Sequence, residues 1–388
     1  MTNKIDKKKI VIPIVFFFLF VLYLLIGGFV TTDMKQHARF AREMISGDRA
    51  TFGNFLFYWL VNIFSFFSVK KIPSGISLCF LIAIATTFRY HLSQIIIFNS
   101  FQNPKKEKRF FWISVIISIS LIFVFAIPIP SYFVHGYFLM GNFSPNVWHN
   151  STTIFLFPFS FLLFYFSYKQ LITFSLKRNF WILGMIILNI LIKPSYFFVF
   201  VCIYPLFLIF RYKLNKNFWY SIIPIIVGLS LLALEYISIY ITPNDSFGGS
   251  SSSVVFRPFY FYTQCANLWE LPFSLFFSLL FPFSYVIFNF YKLKKSLLFQ
   301  FTTLSFLVSV LIYLLLAESG PRANFGNFQW QVIICTWFCF FVSILSLIRD
   351  FDSQGFTVKN KILISIYSLH VLTGFVYLIK IFIVGNCY

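Results

Sequence analysis

Long apolar runs, separated by short polar segments, dominate the chain. A helix needs about 20 apolar residues to cross hydrocarbon. Windows of that character fall at residues 10–26, 74–98, 110–129, 152–171, 180–192, 195–211, 218–240, 272–291, 297–316, 328–347 and 362–384. The pattern predicts an all-α, polytopic transmembrane helical bundle with about 11 crossings, built as a single transmembrane domain over 1–388. The runs 180–192 and 195–211 are short and meet at Lys193-Pro194. Proline removes a backbone donor and biases its predecessor away from helix. The pair is therefore either two short crossings or one kinked crossing.

The basic residues decide between these. With 11 crossings and a cytoplasmic N-terminus, the inner segments and helix ends hold 20 of the 31 Lys and Arg, and the outer segments hold eight. That is the positive-inside bias. Merging the two short runs would carry Lys292, Lys294 and Lys295 to the outside. The C-terminus is thus expected outside, with outer loops at 27–73, 130–151, 241–271 and 317–327. The stretch 55–68, FLFYWLVNIFSFFS, is too short to span, and counting it would place Lys105, Lys106, Lys108 and Arg109 outside. It is expected to be an interfacial juxtamembrane helix in the outer leaflet.

Composition supports this picture and narrows the function classes. Of 388 residues, 59% are hydrophobic and 11% charged, against roughly a quarter charged in soluble proteins. Neither a water-exposed globule nor a disordered chain has that balance. The net charge of +20 is distributed in clusters between apolar runs, which points to membrane lipids and to no nucleic acid as partners. The first apolar run is too long for a signal peptide and lacks a small-residue cleavage site, so it is expected to remain as a helix. Of the six Cys, none forms a CxxC pair or a His/Cys cluster, and only Cys265 and Cys387 are both expected outside, where a disulfide could join them.

Candidate chemistry gathers in the outer loops. In TTDMKQHARFAREM, Asp33 and His37 are four apart and share a helix face. A carboxylate at the lipid–water boundary could act as general base toward a hydroxyl, or be an ordinary loop acid beside an interfacial basic helix. In HGYFLMGNFSPNVWHNSTT, Asn146, Trp148 and His149 offer amide, imidazole and aromatic faces suited to sugar hydroxyls. Asn150 or Ser151 is also a candidate N-cap for the next helix. Lys193, at the helix break, could hold a phosphate or snorkel to the surface. Glu235 lies inside the outer end of its helix, where an acid is costly and usually paired or functional. In ESGPRANFGNFQWQ, Glu318 and Arg322 are placed for a local ion pair, or Arg322 for a donor diphosphate. Asn327 adds an amide beside Trp330. Arg89 and His91 lie within an apolar run, where pairing with Glu235 is one outcome, and His370 has the setting of a satisfied core histidine.

The order of these features resembles the GT-C superfamily of integral-membrane glycosyltransferases, including uncharacterised bacterial members. Its members have a first helix, an outer loop with an essential acid, and a juxtamembrane helix before the second crossing. The matching residues here are Asp33 in TTDMKQHARFAREM and the following FGNFLFYWLVNIFSFFS; KPS and ESGPRANFGNFQW extend the likeness loosely. Many members carry two acids in the first loop, such as DD, DE or DxD, whereas this chain has Asp33 with His37. The resemblance implies a polyprenyl-phosphate sugar donor, a cell-envelope glycan or lipid acceptor, and action on the outer face of a bacterial plasma (inner) membrane. It further implies that Asp33 activates the acceptor and that Lys193 and Arg322 neutralise the donor phosphate. No particular cofactor is implied; a divalent metal could take part, but the two-acid motif that would support it is missing. Two other classes fit a chain of this kind: an O-antigen or capsule polymerase, and a transporter or flippase of a lipid-linked or small substrate. A transporter is expected to show paired broken helices in matching halves, and only one break is evident.

Overall fold

The computed structural model describes residues 7–48, 54–101, 107–129, 141–241 and 252–387. The chain begins with helices α1 (Lys7–Phe29), α2 (Asp33–Ser46), α3 (Leu56–Phe64), α4 (Lys71–Phe98) and α5 (Glu107–Phe123). There follow α6 (Ser151–Ile172), α7 (Leu176–Ile192), α8 (Ser195–Tyr212) and α9 (Lys216–Tyr236), the last running into a π-helical turn at Ile237–Ile241. The chain ends with α10 (Leu271–Ser278), α11 (Leu280–Leu293), α12 (Leu297–Leu315), α13 (Trp330–Gln354) and α14 (Val358–Val384). Strands β1 (Val254–Phe256) and β2 (Leu316–Glu318) pair antiparallel, Val255 opposite Ala317. The bundle is all-α apart from this ribbon.

Among the described residues, α1, α4, α6, α8, α9, α12, α13 and α14 are long and apolar enough to cross a membrane. The pair α10–α11, bent by 69°, makes a ninth if taken as one span. Helices α5 and α7 have 17 residues each. At 1.5 Å per residue they reach about 26 Å, slightly less than a hydrocarbon core of about 30 Å. Hydrocarbon offers no partners to backbone N–H and C=O groups, so helices that satisfy their own are the form such runs must take.

Helix α13 is the centre, buried along nearly its whole length and packed by α4, α6, α8, α11, α12 and α14. Aromatic rings fill the space around it: Trp337 meets Phe157, Phe161 and Phe341, and Phe164 stacks on Phe301 and Phe338. Apolar side chains turned outward, such as Phe17, Phe210, Ile383 and Val384, leave α1, α8 and α14 apolar on their outer surfaces too. Helices apolar on all sides suit a lipid surround.

Two predicted elements differ in detail. The run 110–129 is helical only to Phe123, and 124–129 has no regular secondary structure. There the chain crosses α14: Phe125 N donates to His370 O (3.1 Å), and a Cβ on Gly374 would lie 1.5 Å from the Phe123 carbonyl oxygen. His370 completes the crossing, its Nδ1 2.7 Å from Phe125 O and its Nε2 accepting from Phe281 N (3.3 Å). It is a satisfied core histidine, with the proton on Nδ1. The run 272–291 breaks at Leu279 because Pro282 disfavours helix just before it. The break lets Ser274 and Ser278 reach Gly141 O and Phe143 N, tying loop 141–150 to the bundle. Cys265 and Cys387 are both buried and are not joined in the disulfide that their expected placement allowed.

Replacing Gly374 by Ala forces a methyl into the Phe123 carbonyl, and overpacking of this kind costs about 1–3 kcal/mol or more. Thermal melting of the detergent-solubilised protein should show a lower midpoint for Gly374→Ala. Gly28→Ala, where no atom lies within 4 Å, should melt as the parent does.

Candidate functional site

The site is built where four chain segments end at one face of the bundle. The first is the start of α2. Thr32 caps that helix, its Oγ1 accepting from Met34 N (3.2 Å), so Asp33 sits in the first turn, where the free N–H groups favour a negative charge. The second is the start of α6, capped by Asn150, whose Oδ1 accepts from Thr153 N (3.0 Å). The third is the break between α7 and α8, where Lys193 is extended and Pro194 precedes the new helix. The fourth is Glu318–Gln329, between β2 and α13.

Asn150 connects the first three. Its Nδ2 donates to Asp33 Oδ2 (3.2 Å), and its Oδ1 accepts from Lys193 Nζ (3.2 Å). Lys193 Nζ also donates to Thr152 Oγ1 (3.3 Å) and Thr153 Oγ1 (3.1 Å), and lies 4.5 Å from the centre of the Trp330 ring. A cation over an indole face is held by the ring quadrupole. Burial nonetheless pushes the Lys193 ammonium down to about 7, against the opposing pull of Asp33 and Glu318. His149, 1% exposed, stands edge-on to Trp330 with centroids 6.0 Å apart. Burial holds its imidazolium form down to about 4; nearby Asp33 acts the other way and Lys193 adds to the lowering. His149 is therefore neutral at physiological pH.

The fourth segment makes its own cluster. Glu318 Oε1 accepts from Arg322 Nε (2.7 Å) and from the Tyr240 hydroxyl (2.5 Å), and its Oε2 accepts from Asn327 Nδ2 (2.5 Å). The local ion pair expected from the four-residue spacing is present. Tyr240 arrives from the π-helical turn after α9, and widened turns of this kind are frequent at functional sites.

Between these clusters and α8, α9 and α12 lies a cavity of about 660 Å³. One end is apolar, lined by Val201, Cys202, Leu229, Leu232 and Ile312; the other carries Lys193, Glu235, Tyr240, Glu318, Arg322 and Asn327. Glu235 is 5% exposed, and its Oε2 has no hydrogen-bond partner among the described residues.

Three of the predicted residues are used otherwise. His37 shares α2 with Asp33, but its Nδ1 is bonded to the Tyr58 hydroxyl on α3 (2.9 Å) and its ring packs on Phe40 and Phe57. Asn146 Nδ2 donates to Leu121 O (3.1 Å) and Val124 O (2.8 Å), bracing the end of α5. Trp148 is a core wedge between Tyr23 and Phe123. Arg89 lies over the Phe157 and Trp337 rings, at 4.2 and 5.4 Å, rather than in the Glu235 cavity. The residues that reading along the chain undervalues are Asn150, Thr152, Thr153, Trp330 and Tyr240. Asn150 carries a cap signal that conceals its second role, and Tyr240 carries no local signal at all.

Among the described residues no group of three His, Cys, Asp or Glu side chains is placed to hold a metal ion. Neither the protein-family models nor the curated proteins contain a match to this chain.

The His149 shift has a consequence for stability. A histidine buried neutral stabilises fully above about pH 6.5, and that contribution is lost as pH falls toward about 4, because the unfolded chain takes the proton first. At about 1.4 kcal/mol per pH unit the loss amounts to about 3 kcal/mol. Melting followed from neutral pH to pH 4 should fall less steeply for His149→Gln than for the parent.

Proposed function

We propose that the protein is a membrane glycosyltransferase that moves a sugar from a polyprenyl-phosphate donor to a glycan or lipid acceptor on the outer face of a bacterial plasma membrane. The observation that carries this reading is the hydrogen-bonded line Asp33–Asn150–Lys193, which ends on a cavity apolar at one end and charged at the other. An isoprenoid chain suits the walls of Val201, Leu229, Leu232 and Ile312. Its phosphate then meets Lys193 and Arg322, and the sugar extends toward Asp33.

In this mechanism Asp33 takes the proton of the acceptor hydroxyl as that oxygen attacks the anomeric carbon. The bond from that carbon to the phosphate oxygen breaks, and the lipid phosphate leaves with the electron pair. Preorganised cations beside the developing charge lower the barrier, because they need no reorganisation at the moment of reaction. Asn150 positions both partners: its amide N–H orients the base while its carbonyl oxygen holds the lysine. Trp330 and neutral His149 bound the space between them.

The orientation that serves this reading has 11 crossings, with α5 and the α7/α8 pair spanning, the N-terminus inside and α3 lying in the outer leaflet. It places all four site segments at the outer surface. A polymerase would use the same lipid-linked chemistry, and its expected large outer loop with several Arg is represented here only by Arg257. A transporter remains the reading without covalent chemistry.

Asp33→Asn should lower transfer from a radiolabelled polyprenyl-phosphate sugar by at least about 10²-fold, the usual range for loss of a general base, with the melting midpoint unchanged. Near-parental transfer would overturn the mechanism. Topology is tested separately in a cysteine-depleted protein. Cysteines at the exposed positions 48 and 324 should react with an impermeant maleimide in intact cells, and one at exposed position 354 should not.

A further inference from the structure

The cavity's head end already holds as much acid as base. Glu235 and Glu318 face Lys193 and Arg322 there. Arg322 is already bonded to Glu318, and Lys193 is bonded to three oxygens and acted on by Asp33 and Glu318. A lipid phosphate entering with both acids ionised would bring an excess of negative charge, and of the two acids it is Glu318 that is bonded to a cation.

Glu235 is also the one whose partner is missing. It lies on α9 in the wall of the cavity, 5% exposed, and its Oε2 has no hydrogen-bond partner among the described residues. The groups that face it can be named element by element. From the break between α7 and α8 there is Lys193, and from the segment after α12 there are Glu318 and Arg322; Tyr240 comes from its own helix. The remaining charged residues of α7 and α8, Lys177, Arg178 and Arg211, lie at the opposite helix ends. A buried carboxylate without a partner is costly, whereas a carboxylic acid that donates one hydrogen bond is satisfied.

We propose that Glu235 carries a proton when the cavity holds a lipid phosphate and donates it in a hydrogen bond to a phosphate oxygen, so that each anionic headgroup enters together with one proton. The inference rests on the lipid-phosphate reading of the cavity and assigns Glu235 as the group that recognises that phosphate as a donor. The proton comes from solvent, no bond other than O–H changes, and the headgroup and proton together add no net charge. Glutamine has the same shape and a permanent N–H donor, so it reproduces the protonated acid.

Titration calorimetry of the full chain in detergent tests this, with farnesyl methyl phosphate, a singly charged diester at neutral pH, as probe. Two buffers of different ionisation heat at neutral pH report the protons taken up per phosphate bound. The parent is expected to bind and take up protons; Glu235→Gln should bind within about threefold of the parent and take up fewer. Equal uptake in both proteins overturns the inference, as does a folded Glu235→Gln protein that has lost binding. Should Glu235→Gln not fold, Lys193→Arg removes the lysine's own titration, and zero remaining uptake overturns the inference. Absence of binding by the parent at any pH sinks the lipid-phosphate reading itself, a result distinct from binding without proton uptake.

Discussion

One end of this bundle depends on one amide. Asn150 closes the first turn of α6 through Thr153 N, holds Lys193 through the same oxygen, and donates to Asp33 through its nitrogen. Each of these groups would otherwise end a helix or a chain break without a partner, in a place too buried for water to serve. Buried polar groups are tolerated when bonded and expensive when not. Shortening Asn150 would therefore loosen α2, α6 and the α7–α8 break together.

The rest of the fold makes that meeting possible. Helix α13 supplies a buried axis of aromatic and aliphatic side chains, and α4, α6 and α8 pack on it, with the starts of α6 and α8 at the site. The break at Lys193-Pro194 matters here because it turns the lysine across to α6 instead of along its own helix. Trp330, at the first turn of α13, then brings its ring face to within 4.5 Å of the ammonium. The irregular segments are placed by equally local contacts. Gly374 lets the chain at 123–125 pass directly over α14, and Ser274 and Ser278 draw loop 141–143 onto the bent α10–α11 pair.

The cavity joins two kinds of surface that rarely adjoin, an apolar wall between helices and a cluster of charges in which pairing is incomplete. Glu318 is saturated by Arg322, Tyr240 and Asn327, so it fixes the loop rather than a ligand. Glu235 faces the same space with its Oε2 unpartnered among the described residues. The lipid-linked phosphate proposed as ligand is an amphiphile whose chemistry matches that division.

The sequence by itself determined that the chain is a bundle of apolar helices, because hydrocarbon leaves a backbone no alternative and the run lengths are plain. It also located Asp33, Lys193, Glu235, Glu318 and Arg322, since a charge inside or beside an apolar run stands out without any knowledge of its neighbours. It marked Asn150 as a cap and His370 as a core residue on the same local grounds. Only the tertiary structure decided which of these meet. His37 has the spacing to join Asp33 and turns to Tyr58 instead; Trp148 has the chemistry of a sugar platform and is a core wedge; Tyr240 has no local signal and completes the Glu318 cluster. Helical periodicity fixes which residues share a face of one helix, but the rotation of that helix against its neighbours comes from packing summed over the whole bundle. Contacts between residues more than a hundred positions apart, such as Asp33 with Asn150, exist only once that sum is made.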